Sequence, residues 1–389
     1  MAAPMSQLPP ELLLSIASKL KIYKDYIRFR STCVNFHSNL PSRPRHLPCQ
    51  FPWLLLPLGQ NRGRIRTSFS LSDNKFYRLE LPETRQRRCC GSSNGWLVLL
   101  DQTPSIYLLN ILTKEQFQLP VISTFPNVLD YDVYKLGKEY IIERRPGGGR
   151  YTRNLKDMRN LFIRKIVLST SPLNEKCIAV AILNESDELA FCKEESDSWS
   201  MIDDARLYSE DVVYHNGMFY AVSKKGGVAV FDLGGNKPVV SFIFPPVKCD
   251  GDILYLVVSD TGGIFLVTRY LNFVSDVEPD LIYSTVGFDV FELVASDMNW
   301  VPVKSLGDRM FFLGGNSSLC LLASDFPGCN GNRIYFTDEY TEANDGGARA
   351  DHDVGVFMLE DGSLKMFPCW SSHSRSIRPP HIWVTPSPW

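Results

Sequence analysis

A chain of 389 residues with 44% hydrophobic, 12% aromatic and 22% charged residues has the composition of a folded globular protein, which excludes wholesale disorder. Its formal net charge of -2 hides an asymmetry: residues 1–88 carry 15 Lys and Arg against 5 Asp and Glu, and the remainder carries 26 against 38. No apolar run approaches the roughly 18 residues that span a bilayer, and the best of them, from Phe51, is broken by Pro52 and Pro57, so no membrane contact is expected.

The first predicted elements lie within Leu8 to Ser38. Pro9 or Pro10 suits the first turn of a helix, where a missing N–H costs nothing, and Glu11 follows in the positive first turn. Leu12, Leu13, Ile16 and Leu20 then fall on one apolar face, and the helix should end near Lys21. A second short helix starting at Lys24 or Asp25 carries Tyr26, Ile27 and Phe29, and a third, capped by Ser31 or Thr32, runs through Cys33, Val34 and Phe36. Three helices in so few residues bury little among themselves, so their apolar surplus calls for a partner.

The ordered set Leu8, Pro9, Glu11, Leu12, Leu13, Ile16, Leu20, Asp25, Arg28, Arg30 and Cys33 resembles the F-box, the module that docks a protein onto the Skp-type adaptor of a cullin ubiquitin ligase. The sequence departs from that family at Phe36-His37, where Trp-Arg is commoner, but an aromatic is kept. The resemblance implies adaptor contact by Leu8, Pro9, Leu12, Leu13, Ile16, Leu20, Tyr26, Ile27, Phe29, Arg30, Cys33 and Phe36. An N-terminal helical cap packed on its own domain is the alternative.

Pro41, Pro44, Pro48, Pro52 and Pro57 form a joint that favours extended backbone and divides residues 1–40, the helical module, from 58–389. Beyond it, short strands recur every ten residues or so. Asn94–Asp101, Ser105–Asn110 and Lys114–Pro120 read as a meander, and His215-Asn216-Gly217 as a hairpin turn. A weak repeat links Glu188–Asp203, Phe288–Val303 and Val354–Trp370, two strands followed by a tryptophan, and glycine doublets at 226, 234, 262 and 314 punctuate the series. The expected fold is mainly β, a large antiparallel β-propeller of about six or seven blades at ~45 to 50 residues each, with a pair of two-sheet sandwiches as the alternative. The terminal Pro-Pro-His-Ile-Trp stretch is expected to pair near the first blade, because a ring must leave no open edge. Residues Leu306–Tyr340, with the Asp-Phe-Pro-Gly-Cys run at 325–329, resemble the uncharacterised β-propeller domain that follows an F-box in a large plant family, and the likeness reaches back to Lys114.

Catalytic motifs are missing: there is no G-x-S-x-G, P-loop, H-E-x-x-H or zinc-spaced cysteine set. Asp351-His352-Asp353 is a candidate metal set, though adjacent residues of a strand cannot all face one ion, and no cofactor is expected. His373, Arg375, Arg378 and His381 read as a solvated tail in preference to an anion patch. The ten cysteines without a C-x-x-C pair or a leader peptide point to a reducing compartment, nucleus or cytoplasm. Arg144–Lys165 reads as a flexible basic insertion, with Arg144, Arg145, Arg150 and Arg153 as candidate contacts for an acidic or phosphorylated partner; nothing resembling a nucleic-acid fold accompanies it.

These features together are those of a non-catalytic F-box protein, a substrate adaptor whose helices recruit a Skp-type adaptor and thereby a cullin ligase, while the β-domain holds an unknown protein substrate. A propeller enzyme or small-ligand sensor with a helical cap, and an F-box protein acting outside degradation, are the alternatives.

Overall fold

The computed structural model describes residues 7–388 apart from 43, 45, 57–63, 73, 145–146, 185, 195, 236, 275–281, 339–352 and 368–380. Three short helices come first: α1 (Pro10–Ala17), α2 (Tyr23–Arg30) and α3 (Val34–Asn39). Pro10 and Glu11 open α1 as the helix dipole and the unsatisfied first turn favour. Leu13 and Ala17, one turn apart, point inward and pack with Tyr26, Phe36, Leu40 and Leu47 into a core of the module's own. The Tyr26 hydroxyl donates to the Pro41 carbonyl (2.6 Å) and Arg30 Nε to the Leu40 carbonyl (2.9 Å), which fixes where the chain leaves the module. Neither Ser31 nor Thr32 caps α3; Cys33 holds the capping position, with no side-chain hydrogen bond.

Strands follow. The first are β1 (Trp53–Leu55), β2 (Ile65–Ser70), β3 (Lys75–Glu80), β4 (Arg88–Ser93), β5 (Trp96–Leu100), β6 (Ile106–Asn110) and β7 (Gln116–Leu119). Next come β8 (Val128–Tyr131), β9 (Tyr140–Glu143), β10 (Arg150–Arg153), the single turn α4 (Leu155–Asp157), β11 (Ile163–Leu168), β12 (Ile178–Leu183), β13 (Glu188–Lys193) and β14 (Ser200–Met201). The chain continues through β15 (Asp211–His215), β16 (Met218–Val222), β17 (Val228–Asp232), β18 (Val239–Ile243), β19 (Ile253–Val258), β20 (Ile264–Val274), β21 (Ile282–Val294) and β22 (Asn299–Pro302). The last are β23 (Arg309–Gly314), β24 (Ser317–Leu322), β25 (Arg333–Phe336), β26 (Gly355–Met358), β27 (Leu364–Met366) and β28 (Ile382–Val384).

Consecutive strands pair into antiparallel meanders, β4 to β7, β11 to β14, β15 to β18 and β19 to β22, each a four-stranded sheet. The turn chemistry explains the tight links: Asn216 and Gly217 both take positive φ, as a two-residue hairpin turn requires, and His215 pairs with Met218 across it. One sheet departs from the antiparallel expectation. Its order is β24-β23-β25-β26-β27, with β23 and β25 parallel, because residues 323–332 carry the chain past β23 to its far side. The first sheet is completed from the other end of the sequence: in β28, Ile382, Trp383 and Val384 pair with Leu55, Leu54 and Trp53 of β1.

Six apolar clusters run from sheet to sheet. One joins β4–β6 to β11–β13, the next β11–β13 to β15–β17, and the next β15–β18 to β19–β22. Then β19–β21 packs on β23–β26, these on β1, β2 and β28, and the first sheet on β4–β6, which returns to the start. The sheets therefore pack face to face in a closed cycle around an axis, the arrangement of a propeller. The three-stranded sheet β8–β10 sits outside that cycle, buried through Tyr140 and Ile142 in the first of these clusters.

Two tryptophans show why the internal repeat is visible but weak. Trp199, just before β14, donates from Nε1 to the Pro120 carbonyl beyond β7 (2.9 Å), and Trp300 in β22 donates to the Phe244 carbonyl beyond β18 (3.0 Å). In both cases the outer hairpin of one sheet is tied to the strand exit of the sheet before it, so the indole is kept while the spacing drifts. Trp370, the third of the series, lies outside the described residues.

The basic insertion is not a loose loop. Arg150 and Arg153 belong to β10, α4 and a π-helical turn at Met158–Phe162 follow, and Met158 and Phe162 are buried. Its last residue, Lys165, lies inside the ring.

Candidate functional site

Two regions are organised beyond what folding needs: the outer side of the helical module and the axis of the ring. On α1, burial of Leu13 and Ala17 leaves both flanks of the helix in solvent, with Leu12 52% and Ile16 39% exposed on one and Leu14 47% exposed on the other. Pro9 is exposed beside them, and Val34 on α3 is 84% exposed. Leu8, Leu20, Ile27, Phe29 and Cys33 are half-buried against the module core, and Arg30 is spent on the Leu40 carbonyl. Leu13, Tyr26 and Phe36 are buried, which corrects their assignment to a contact surface; they hold the module together beneath that surface. Leu14 and Val34 belong to the exposed apolar set although the motif pattern does not single them out.

The module is fastened to the ring. Gln50 Oε1 accepts the N–H of Tyr23 at the start of α2 (3.0 Å), and its Nε2 donates to the carbonyls of Lys21 (3.0 Å) and Pro48 (2.8 Å). Phe51 then meets Phe312 and Phe326 edge to face, with ring centroids 5.4 and 5.0 Å apart. The proline-rich joint is thus packed on strands β23 and β24 and the turn after them.

Along the axis lies a cavity of about 570 Å³. The inner strands β4, β11, β15, β19 and β24 line it, together with residues 385–388 after β28, and Tyr23, Cys49 and Gln50 of the module and joint close one side. The strands approach closely: a Cβ on Gly91 of β4 would collide with the Ile166 carbonyl oxygen of β11. At the wall of the cavity Lys165 Nζ donates to Asp211 Oδ1 (2.6 Å), with both side chains almost wholly buried. Asp211 Oδ2 also accepts the Leu256 N–H (3.0 Å) and the Ser318 hydroxyl (3.0 Å). One carboxylate thereby joins β11, β15, β19 and β24. Sequence reading placed Lys165 at the end of a flexible basic insertion and passed over Asp211; the available signal was a charged residue opening or interrupting an otherwise apolar strand, as in Ile163–Leu168 and Asp211–His215.

Six of the cysteine thiols are held protonated by burial. Burial pushes Cys89, Cys177 and Cys249 up to about 11 and Cys90 and Cys320 to about 12, and raises Cys192 further, so each stays protonated at neutral pH. Asp353, the described member of the candidate metal set, is buried and accepts from Arg269 Nη2 (2.9 Å) and the Thr285 hydroxyl (2.6 Å), while Arg269 reaches Tyr255 and the Thr337 carbonyl. That carboxylate is committed to a guanidinium; Asp351 and His352 lie outside the described residues. His381, read as part of a solvated tail, is instead buried at the entry to β28, and His373, Arg375 and Arg378 lie outside the described residues. Among the described residues no group of three or more His, Cys, Asp or Glu is arranged to hold a metal ion, and no helix is long and apolar enough to cross a membrane. In the basic segment Arg144 and Arg150 are exposed, and the guanidinium groups of Arg144 and Arg153 stand 5.9 and 5.2 Å from the Tyr151 ring centroid; Arg145 lies outside the described residues.

The chain is similar to the F-box protein SKIP23 of Arabidopsis thaliana, at 28% identity over 98% of this chain and 95% of the relative. The F-box protein At4g35733 of the same plant is 27% identical over 92% of each chain. Among solved structures, TolB from Acinetobacter baumannii aligns with a TM-score of 0.39 and 12% identity, over 87% of this chain and 67% of its own. The KIB1-4 beta-propeller family matches residues 68–358, through β3 to β26 and the second half of β2, and the chain belongs to that family.

Proposed function

We propose that this protein is the substrate-recognition subunit of an SCF-type cullin ubiquitin ligase. In this reading residues 8–38 are an F-box whose exposed apolar groups, Pro9, Leu12, Leu14, Ile16 and Val34, meet a Skp-type adaptor, and a six-bladed ring binds the client protein in the nucleus or cytoplasm. The observation that carries it is the division within α1: Leu13 and Ala17 are satisfied inside the module, and the large aliphatic groups Leu12, Ile16 and Leu14 on its flanks stand about half in solvent. Full burial of such a side chain is worth about 1.5 to 3 kcal/mol, so a partner covering several of them gains a stable contact. The names of the Arabidopsis relatives support the same assignment.

The contribution is proximity. Holding a client lysine near a charged conjugating enzyme raises its effective concentration, and no acid, base or nucleophile from this chain is required. The Gln50 latch and the Phe51 contacts suit that task, because they hold the adaptor face at a set position relative to the ring. Within this reading Arg144, Arg150 and Arg153 form a salt-sensitive contact for an acidic or phosphorylated client.

Affinity purification with and without proteasome inhibition tests the proposal. Adaptor and cullin should be recovered in both conditions, and a set of clients should accumulate only under inhibition. Changing Arg144, Arg150 and Arg153 to Ser should lower client recovery, most at low salt, and leave adaptor recovery intact. A clean preparation of the folded protein without adaptor or cullin would refute the assignment.

A further inference from the structure

Among the outer strands of the ring, β18 differs from the rest. Outer edges expose unpaired backbone N–H and C=O groups, and proteins ordinarily blunt them with charges, proline or brevity. Here β3 carries Lys75, Arg78 and Glu80, β27 carries Lys365, β14 has two residues, β22 ends in Pro302, and β7 is four residues long with two glutamines. Strand β18, Val-Val-Ser-Phe-Ile, carries neither a charge nor a proline within it, and the ten residues from Pro238 to Val247 contain no charge, their prolines being confined to the two ends at Pro238, Pro245 and Pro246. Among the described residues it pairs only with β17. Its apolar groups are in solvent: Val239 is 70% exposed, Phe242 54%, Phe244 88% and Val247 fully. Trp300 of the next sheet donates to the Phe244 carbonyl, so the backbone leaving this edge is held in place.

Cations stand at both ends of the bare stretch. Lys237 precedes it, and Lys248 follows together with Lys224 and Lys225 of the β16–β17 turn, all four exposed; that turn meets the segment after β18 at Gly226, Pro245 and Cys249. Three acids stand nearby against the four lysines, Asp232 accepting from the Gly234 N–H (2.7 Å), Asp250 from the Tyr270 hydroxyl (3.2 Å) and Asp252 from the Leu271 N–H (2.7 Å), so the cations are in excess. We propose that the free edge of β18 takes an extended apolar segment of a partner protein, bracketed by acidic residues, as a fifth strand of its sheet. Backbone pairing supplies the affinity in such strand addition, and Val239, Phe242 and Phe244 select the side chains. A second copy of this chain fits less well, since pairing two copies of β18 would bring their exposed lysines together, and like charges so placed repel. The proposal stands apart from the adaptor reading, because this edge does not involve the helical module.

The test uses the full chain and a fluorescein-labelled short peptide of alternating valine and threonine between paired glutamates, titrated by anisotropy. Saturable binding is expected, weakened at least ~10-fold by Val239→Lys with Phe242→Lys, and abolished when alternate peptide amides are N-methylated. Lys224→Glu, Lys225→Glu and Lys248→Glu, away from the core, should weaken it and flatten its salt dependence, which keeps the test decisive if the first variant melts early. Absence of binding, or binding indifferent to N-methylation or to both variants, overturns the proposal. Concentration-dependent dimerisation abolished by Val239→Lys with Phe242→Lys also overturns it, by making a second copy the occupant.

Discussion

Deleting residues 381–388 is expected to destroy cooperative folding of the ring. The deletion removes β28, which pairs with β1 and is the only strand that links the last sheet's neighbourhood back to the first among the described residues. Trp383 goes with it: this indole is fully buried, donates to the Leu313 carbonyl (3.0 Å) and packs edge-on against Phe312. Asn316 loses both of its bonds to the Trp383 backbone, at 2.7 and 3.1 Å. An unpaired β1 edge beside bare Leu54 and Leu55 invites aggregation. The milder Trp383→Ala should cost about 3 to 5 kcal/mol, the range for removing a large aromatic from a core. Calorimetry decides: a truncated protein melting in one sharp transition at the intact temperature would show that β28 is not the closing strand.

A second large effect is expected at Asp211. Asp211→Ala leaves the Lys165 ammonium buried without its counter-ion and strips acceptors from the Leu256 N–H and the Ser318 hydroxyl. Breaking one side of a buried pair costs about 3 to 5 kcal/mol, whereas replacing both partners with apolar groups of similar size is far less harmful. Lys165→Met combined with Asp211→Leu should therefore melt above Asp211→Ala alone. Equal melting temperatures for Asp211→Ala and the intact protein would mean that the carboxylate does not tie the inner strands together.

Period and turn chemistry made much of this legible in advance. Of the expected apolar face Leu13 and Leu20 turn to the module core while Leu12 and Ile16 stand half in solvent, with Ala17 buried in their place, and Asn216-Gly217 makes the hairpin its sequence demands. The terminal strand was also readable, because a ring needs a partner for β1 and Ile382–Val384 is an apolar run near the C-terminus. Position within the ring was not. Lys165 and the solvent-facing arginines share a charge and a stretch of sequence, and only the meeting of β11 with β15 separates a buried cation from exposed ones. Motif matching likewise merges two kinds of residue: Leu13, Tyr26 and Phe36 build the module's core, and Leu12 and Ile16 stand on its outer surface. The parallel β23–β25 pair escaped for a related reason, since residues 323–332 read as turn chemistry without saying which side of β23 the next strand joins.

The central claim is most directly tested by calorimetric titration of purified Skp-type adaptor into the full chain and into a Leu12→Asp, Ile16→Asp variant. Both side chains lie outside the module core, so the variant should keep its melting temperature. Losing two apolar contacts and burying charge in their place should weaken binding at least ~100-fold. Unchanged affinity in a folded variant, or no adaptor binding by the intact chain, would contradict the account.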